Sequence, residues 1–437
     1  MKQQIVILRD PSGRTGDYRR QLEELGARTR GGGAAWQDAG PVIQFDKADG
    51  APSPDTSPPP APALDELKVE VEEATAGERA RIAREKDVLA TAPAMPLSVP
   101  EPVANDALAS NEAHDDEADP NALSVTWGVR TVGADRSSFD GANATVAVLD
   151  TGIDAAHPAF AGGGLQLITR NFTTESDDDL NGHGTHCAGT IFGRDVAGTR
   201  IGVAPGVRRA LIGKVIGGGA GTKDLLDAMK WAVDQGANVI SMSLGFDFVG
   251  YRERLADHFG YAAQAATSAA LEAYRSNVRM FDQWMALNSA QAAIGKSAMV
   301  VAAAGNESRR NGANAYEVAT SSPASAAGVV SVGALFEGGG GLDVASFSNT
   351  GPRIAAPGVS VVSAWPGGGL RALNGTSMAC PHVAGCAALF WDEMAQSPVQ
   401  PTPDRVIGRL TANAEHSGVF VNGIDFADIG VGLCRAP

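Results

Sequence analysis

Short apolar runs rich in β-branched residues alternate with amphipathic stretches from residue 146 onward, and this alternation constrains the fold most. The runs are Val146–Leu149, Ala210–Val215, Val239–Met242 and Met299–Ala303. Continuous apolar runs of this length are typical of strands buried on both faces of a parallel sheet. Between the second and third runs, Lys223–Gln235 has its apolar residues at helical spacing. The sequence therefore predicts an α/β fold, a doubly wound, mostly parallel sheet with helices on both faces.

Residues 374–385 place Ser377 between a small-residue turn, Asn-Gly-Thr, and an apolar run that predicts a helix. A helix N-terminus presents N–H groups without intrahelical acceptors and the positive end of the helix dipole. A serine there can attack a carbonyl carbon while its own N–H stabilises the oxyanion. By itself the segment is more typical of an ordinary N-cap serine, so its function depends on partners elsewhere in the chain.

Two other segments supply a carboxylate and an imidazole. Asp150 ends a predicted buried strand, at the edge where open α/β sheets place functional groups. His183 lies between two glycines at the start of a helical run, where backbone and substrate can approach closely. Each signal is weak alone, but with Ser377 they combine a carboxylate, an imidazole and a hydroxyl.

The segments around Asp150, His183 and Ser377 resemble the three signature motifs of the subtilisin-like serine proteases (subtilases), in that family's chain order. Ala-Ala-Ala-Gly-Asn at 302–306 resembles the family's oxyanion segment, and Ser-Met-Ser-Leu-Gly at 241–245 resembles its substrate-binding strand. The resemblance implies a subtilisin-like fold and a serine endopeptidase.

The same resemblance implies the role of each residue. Ser377 would attack the scissile carbonyl, His183 would transfer the proton, and Asp150 would orient His183. The Asn306 side chain and the Ser377 N–H would bind the oxyanion. A peptide would lie as an extended strand paired on both sides. The implied substrate-binding residues are Gly217, Gly218 and Gly219 on one edge, Ser243, Leu244 and Gly245 on the other, and Ala302, Ala303, Ala304, Gly305, Glu307 and Ser321 around a specificity pocket.

Residues 1–103 predict a separate small α+β (ferredoxin-like) domain. Its predicted strands are Ile5–Leu8, Leu67–Val71 and Val88–Ala92, its helices are Tyr18–Leu25 and Gly77–Asp87, and residues 50–63 predict a disordered Pro-rich loop. The resemblance implies a pro-domain that inhibits the enzyme intramolecularly, with Ala92–Pro96 as its last strand. An unrelated N-terminal domain is the alternative.

Residues 104–121 are rich in acidic side chains and predict a solvated linker. The linker also lies where a pro-domain would be cut, somewhere in 100–124. Residues 122–437 form the predicted peptidase domain, which carries an insertion at about 248–296. Within it, residues 251–294 predict one or two long helices, which serve either packing or docking of a partner near the groove.

No cofactor is implied for catalysis, but family members bind structural calcium. Asp195 is the one carboxylate in the corresponding segment 193–199, and Ala159 stands where a ligand aspartate is usual. Calcium needs several oxygen ligands, so Asp195 is a weak candidate. The four cysteines are Cys187, Cys380, Cys386 and Cys434. They predict free buried thiols, with Cys187 beneath His183.

The net charge of −15 and the pI near 4.9 argue against a nucleic-acid partner. The sequence has no apolar stretch long enough to cross a membrane and no recognisable signal peptide, so we expect a cytoplasmic protein, although a chain trimmed of its signal peptide would look the same. Two alternatives remain open. One is a dedicated processing protease that cuts a defined precursor or partner and leaves casein nearly intact. The other is a catalytically silent peptide-binding module.

Overall fold

The structure, a computed structural model, describes residues 2–11, 67–99, 103, 124–311 and 313–437. The predicted helix Tyr18–Leu25, the loop 50–63 and the linker 104–121 lie outside the described residues.

The N-terminal part contains a three-stranded antiparallel sheet of order β2-β1-β3. Its elements are β1 Gln3–Arg9, β2 Lys68–Ala74, α1 Ala76–Ile82 and β3 Val88–Pro93. Thr75 is the N-cap residue of helix α1 and forms a capping box with Glu78. The helix ends at Ile82, five residues before the predicted end at Asp87. Arg9 of β1 binds Glu85 and Asp87 at 2.8 and 3.0 Å, and these bonds hold the turn into β3.

The alternation of side chains along β1 decides how this sheet packs. Ile5 and Ile7 belong to a small core that also contains Ile82 of α1. Val6 and Leu8 point to the other face and join the large apolar cluster of the following domain. Successive residues of a strand face opposite sides, so the N-terminal sheet lies between its own helix and the rest of the molecule.

The following strands and helices are given in chain order. They are β4 Leu97–Ser98, α2 Trp127–Thr131, β5 Thr145–Asp150, a 3₁₀ turn Pro158–Phe160, β6 Gln166–Asn171, α3 His183–Phe192, β7 Arg209–Lys214, α4 Thr222–Asp234, β8 Val239–Met242, β9 Gly245–Phe246, α5 Phe248–Asp257, α6 Ala263–Ala290, a 3₁₀ turn Ala292–Ile294, β10 Met299–Ala303, β11 Val330–Gly338, β12 Gly341–Val344, β13 Ile354–Pro357, β14 Val361–Trp365, β15 Gly369–Leu373, α7 Thr376–Ala395, α8 Pro403–Asn413 and α9 Phe426–Ile429.

The central sheet has eight strands in the order β12-β11-β10-β8-β5-β7-β6, with β13 paired to β11. All its pairs are parallel except β11 with β12. Apolar side chains cover both faces: Val146 and Val148 of β5 lie in one core with α3 and α7, while Ala147 and Leu149 lie in the other with α4 and α6. The predicted doubly wound α/β architecture is confirmed.

The insertion forms two helices, α5 and α6, in agreement with the sequence pattern. Helix α6 packs against β3 of the N-terminal sheet, and its Asn277 donates to the Pro93 carbonyl of that strand at 2.9 Å. Glu272 of α6 also forms an ion pair with Arg79 of α1. Within the part of the chain that the structure describes, no helix is both long and apolar enough to cross a membrane.

Candidate active site

Asp150 and His183 form a buried hydrogen-bonded pair. Asp150 is the last residue of β5, and His183 is the first residue of α3. Oδ1 of Asp150 lies 2.8 Å from Nδ1 of His183, and the side chains are 0% and 1% exposed. Oδ1 also accepts the Thr151 N–H at 2.7 Å. A carboxylate only accepts hydrogen bonds, so the proton of neutral His183 lies on Nδ1 and the lone pair lies on Nε2.

Gly182 allows the chain to turn into α3 immediately before His183. Its φ is 93°, a left-handed conformation that glycine adopts without steric cost. A Cβ at this position would come within 2.6 Å of the Trp365 ring. Backbone conformation and close packing therefore both require glycine next to the imidazole.

Ser377 lies in the first turn of α7, close to His183. Its carbonyl accepts hydrogen bonds from Ser243 Oγ at 2.9 Å and from Cys187 Sγ at 3.5 Å, and the same sulfur lies 3.8 Å from His183 Nδ1. The Ser377 hydroxyl donates weakly to the Ser243 carbonyl at 3.5 Å. Among the described residues, His183 Nε2 has no hydrogen-bond partner. Cys187 therefore contacts both the main chain of Ser377 and the ring of His183.

Asn306 presents its amide N–H₂ to the same place. Its Oδ1 accepts the N–H and the hydroxyl of Thr376 at 2.9 and 2.8 Å, which fixes the orientation of the amide. A Cβ on Gly375 would lie 3.1 Å from Asn306 Nδ2 and 3.5 Å from the Ser377 nitrogen. The amide nitrogen of Asn306 and the main-chain nitrogen of Ser377 therefore lie close to the same face of Gly375, where a side chain would crowd them.

Asp179 is a site residue that sequence reasoning missed. One oxygen accepts the Thr151 hydroxyl and the Gly182 N–H at 2.8 Å, and the other accepts the N–H and hydroxyl of Thr185 at 2.9 and 2.6 Å. The carboxylate thus caps the N-terminus of the helix that carries His183 and ties it to the loop after Asp150. The sequence signal for this role is the run of three aspartates at 177–179, shortly before Gly182.

Replacing Asp179 by alanine is expected to destabilise the protein by about 2–4 kcal/mol, because several buried donors lose a charged acceptor. The measurement is urea unfolding at neutral pH. The control is Asp178→Ala, which removes an exposed carboxylate from the adjacent position and should change the free energy of unfolding by less than about 0.5 kcal/mol. Equal stability of the two variants would contradict the capping role.

The second histidine of the motif, His186, is structural. Its Nε2 lies 2.9 and 3.0 Å from the carbonyls of Val361 and Arg371. Burial, followed by the neighbouring His183, lowers the pKa of His186 to about 3. His186 therefore stays neutral at physiological pH and ties α3 to the β14–β15 hairpin.

The chain segment Met95–Ser98 runs as an extended strand between two edges beside the site. Leu97 and Ser98 of β4 pair antiparallel with Phe246 and Gly245 of β9. On the other side Pro96 bridges Gly221, and the Leu97 N–H donates to the Ala220 carbonyl at 3.3 Å. The three-stranded arrangement is the one expected for a bound peptide.

The same segment is bound a second time at Val103, which pairs with Asn374. The Val103 N–H donates to the Asn374 carbonyl at 2.9 Å, and Asn374 Nδ2 donates to the Val103 carbonyl at 2.8 Å. Residues 100–102, which connect Val99 with Val103, lie outside the described residues. The segment is therefore bound at β9 and at Ala220 and Gly221 before residues 100–102, and at Asn374, three residues before Ser377, after them.

On one edge, the described part of the segment pairs with Ala220 and Gly221. The predicted Gly217, Gly218 and Gly219 come directly before them and form a turn with φ values of 130°, 49° and 81°. Thr174 Oγ1 donates to the Gly218 carbonyl at 2.9 Å, and the Gly218 N–H donates to Glu175 at 2.8 Å. On the opposite edge Gly245 pairs with Ser98, while the Leu244 side chain is buried in the core.

The predicted pocket residues lie together after β10. Ala302, Ala303, Ala304 and Gly305 are buried, and Ser321 donates its N–H to the Ala304 carbonyl at 2.9 Å. Glu307 is exposed at the rim and accepts Asn349 Nδ2 at 2.6 Å. Asn349, which nothing in its local sequence signalled, also accepts the N–H groups of Glu307 and Ser308 at 3.1 Å. It therefore holds the turn that follows Asn306.

The surroundings of Asp195 do not fit a calcium site. Asp195 is exposed, and it belongs to no cluster of three or more carboxylate, histidine or cysteine ligands within the described parts of the chain. Calcium takes six to eight oxygen ligands. Asp195 therefore stays a weak candidate, with no second carboxylate cluster beside it among the described residues.

Comparisons with known proteins agree with this geometry. The profile described as the Subtilase family matches residues 141–427. Subtilisin DY of Bacillus licheniformis is 33% identical over 306 residues, which cover 68% of this chain and 94% of that protein. Subtilisin Savinase of Lederbergia lenta is 35% identical over 275 residues, which cover 61% of this chain and 84% of that protein.

A solved structure shows the same fold. Fervidolysin of Fervidobacterium pennivorans, described as a keratinolytic enzyme related to subtilisin, matches with a TM-score of 0.60 and 21% identity. The match covers 100% of this chain and 60% of that chain. At this identity the likeness concerns the fold alone.

Proposed function

Since the chain belongs to the subtilase family of serine endopeptidases, we propose that it hydrolyses peptide bonds with Ser377 as nucleophile and His183 as general base. Asp150 orients the imidazole. The observation that carries this proposal is the buried 2.8 Å contact between Asp150 Oδ1 and His183 Nδ1, which leaves the Nε2 lone pair available. In this mechanism the Ser377 hydroxyl, which donates to the Ser243 carbonyl in the structure, turns to donate its proton to Nε2.

The reaction then follows from the positions of the groups. Ser377 Oγ attacks the peptide carbonyl carbon while His183 takes the hydroxyl proton, and Asp150 stabilises the imidazolium that forms. Asn306 Nδ2 and the Ser377 N–H, which face the space above Gly375, donate to the oxyanion. His183 passes its proton to the leaving amine, and water completes the hydrolysis of the acyl-enzyme.

We also propose that the N-terminal domain is an intramolecular inhibitor that the enzyme cuts away. The strand Met95–Ser98 pairs with both edges of the groove, and Val103 binds Asn374 beyond Ser377. These contacts support a scissile bond between Val99 and Val103, at the beginning of the broader boundary at 100–124 that the sequence indicated. The strand blocks the groove until it leaves.

Intact-mass measurement of the full-length protein and of its Ser377→Ala variant tests both proposals. Wild type is expected to lose the residues that precede a bond between Val99 and Val103, and the variant is expected to keep its full mass. Identical cleavage of the variant would show that another residue or another protease cuts the chain.

A thiol-binding mercurial is expected to abolish activity, because mercury on Cys187 Sγ, 3.8 Å from His183 Nδ1, displaces the imidazole from Asp150. Burial, together with the charge of Asp150, raises the pKa of the Cys187 thiol well above its ordinary value. This thiol is therefore neutral and does not compete with Ser377 as nucleophile. The measurement is peptide hydrolysis in the presence of excess reagent.

The matched variants are Cys187→Ala, which should resist the mercurial, and Cys434→Ala, which removes a distant buried thiol and should remain sensitive. Full activity of wild type in excess reagent would contradict the proposed contact between thiol and imidazole.

A further inference from the structure

Asn277 is a fully buried amide in the middle of the inserted helix α6. Its Nδ2 donates to the Pro93 carbonyl at 2.9 Å as well as to Ala273 of its own helix at 2.9 Å. Its Oδ1 accepts the Thr222 hydroxyl at 2.8 Å. The amide therefore joins three elements: α6, α4 and the segment that leads into the groove.

Thr222, the first residue of α4, binds the same segment two residues further along. Its N–H donates to the Met95 carbonyl at 3.1 Å, and its hydroxyl oxygen accepts the Met95 N–H at 3.2 Å. Together Asn277 and Thr222 make hydrogen bonds to the main chain at Pro93 and Met95. These bonds do not depend on the side chains of the segment.

The bonded segment is continuous with the strand in the groove. Pro96 bridges Gly221, and Leu97 and Ser98 pair with β9. Wherever the scissile bond lies between Val99 and Val103, Met95 and Pro93 lie between five and ten residues before it. The contacts of Asn277 and Thr222 therefore extend the groove on the N-terminal side of the scissile bond.

We propose that Asn277 and Thr222 form a main-chain-binding subsite for extended peptide substrates, occupied first by the enzyme's own N-terminal segment and afterwards by substrate. This inference rests on the proposed peptidase function and defines its substrate class. The preferred substrate is an unfolded segment that is accessible over at least about ten residues before the cut. Because the bonds go to the main chain, the subsite accepts almost any sequence.

Proline is the exception that the geometry defines. The Met95 N–H donates to Thr222 Oγ1, and proline has no N–H. A proline at the substrate position that corresponds to Met95 removes one hydrogen bond and leaves the Thr222 hydroxyl oxygen without that donor. Proline at the position of Pro93 costs nothing, since only its carbonyl is bound.

The test compares two fluorogenic peptides with the self-processed wild-type protein. Both carry the same residues around the scissile bond, but one has four residues before it and the other has twelve, the additional ones being alanine and serine. Two to three added main-chain hydrogen bonds are expected to raise kcat/KM of the long peptide about tenfold, mainly through KM. A proline scan through the extension should lower kcat/KM at the position that corresponds to Met95. Proline two residues earlier, at the position of Pro93, should leave kcat/KM unchanged.

Asn277→Ala and Thr222→Val should each lower the ratio of kcat/KM, long peptide over short, by at least about twofold, since each removes one of the bonds to the extension. Thr267→Ala, which removes an exposed hydroxyl from the same helix, should keep the wild-type ratio. The proline scan uses the wild-type protein only, so it tests the subsite even if a variant fails to fold.

Equal kcat/KM for both peptides in wild type would overturn the subsite while leaving the peptidase function intact. So would an unchanged ratio in both folded variants. If neither peptide is cleaved, the peptidase function itself fails, and the subsite fails with it.

Discussion

Ser377→Ala is expected to lower kcat by about 10⁶-fold, a magnitude carried over from measurements on the nucleophile of subtilisin, a relative of this chain. Ser377 Oγ is the nucleophile of the proposed mechanism. Its loss removes the acyl-enzyme route, while the oxyanion donors and the groove remain. Peptide hydrolysis by the variant should then be close to the rate left by binding and oxyanion stabilisation alone.

The matched control is Ser397→Ala, which removes an exposed serine just after the C-terminal end of the same helix and should leave kcat within about twofold. Because the variant at Ser377 cannot cut its own N-terminal segment, both proteins should be assayed after cleavage of that segment by immobilised wild-type enzyme, which is removed completely before the assay. A loss smaller than about 10³-fold would mean that Ser377 is not the nucleophile.

Asp150→Asn is expected to lower kcat by about 10⁴-fold. The substitution keeps the shape of the side chain but removes the negative charge that lies 2.8 Å from His183 Nδ1 and stabilises the imidazolium. Both side chains are almost completely buried, so water cannot replace this charge. The measurement is kcat near pH 8, with circular dichroism to verify the fold.

The control is Asp178→Asn, which neutralises an exposed carboxylate in the loop that leads to α3. It should change kcat by less than about threefold, because an exposed charge is screened by water and salt. Equal losses in the two variants would point to the overall field of the acidic loop instead of the buried pair.

Local sequence predicts the elements of this fold well where one stretch of chain contains all the necessary information. Apolar β-branched runs identify the central strands, and the predicted helix Lys223–Gln235 differs from Thr222–Asp234 by one residue at each end. The pairing of Asp150 with His183 is implied by the resemblance of their segments to the subtilase motifs.

Features that depend on distant residues could not be predicted in this way. Helix α1 stops early because Arg9, more than seventy residues away in sequence, binds the turn after it. The contacts of Pro96 and Leu97 with Gly221 and Ala220 likewise join residues that lie far apart in sequence.

Asp179 shows the same limit within the site. Sequence offers three adjacent aspartates, and only the folded loop shows which carboxylate lies under the N-terminus of α3.

The most direct test of the catalytic assignment is covalent labelling of the self-processed protein with a fluorophosphonate, followed by peptide mass mapping. If Ser377 is the nucleophile, one equivalent of adduct forms on Ser377 and none forms in the Ser377→Ala variant. An adduct on another residue, or none in a folded protein from which the N-terminal segment has been removed, would contradict this assignment.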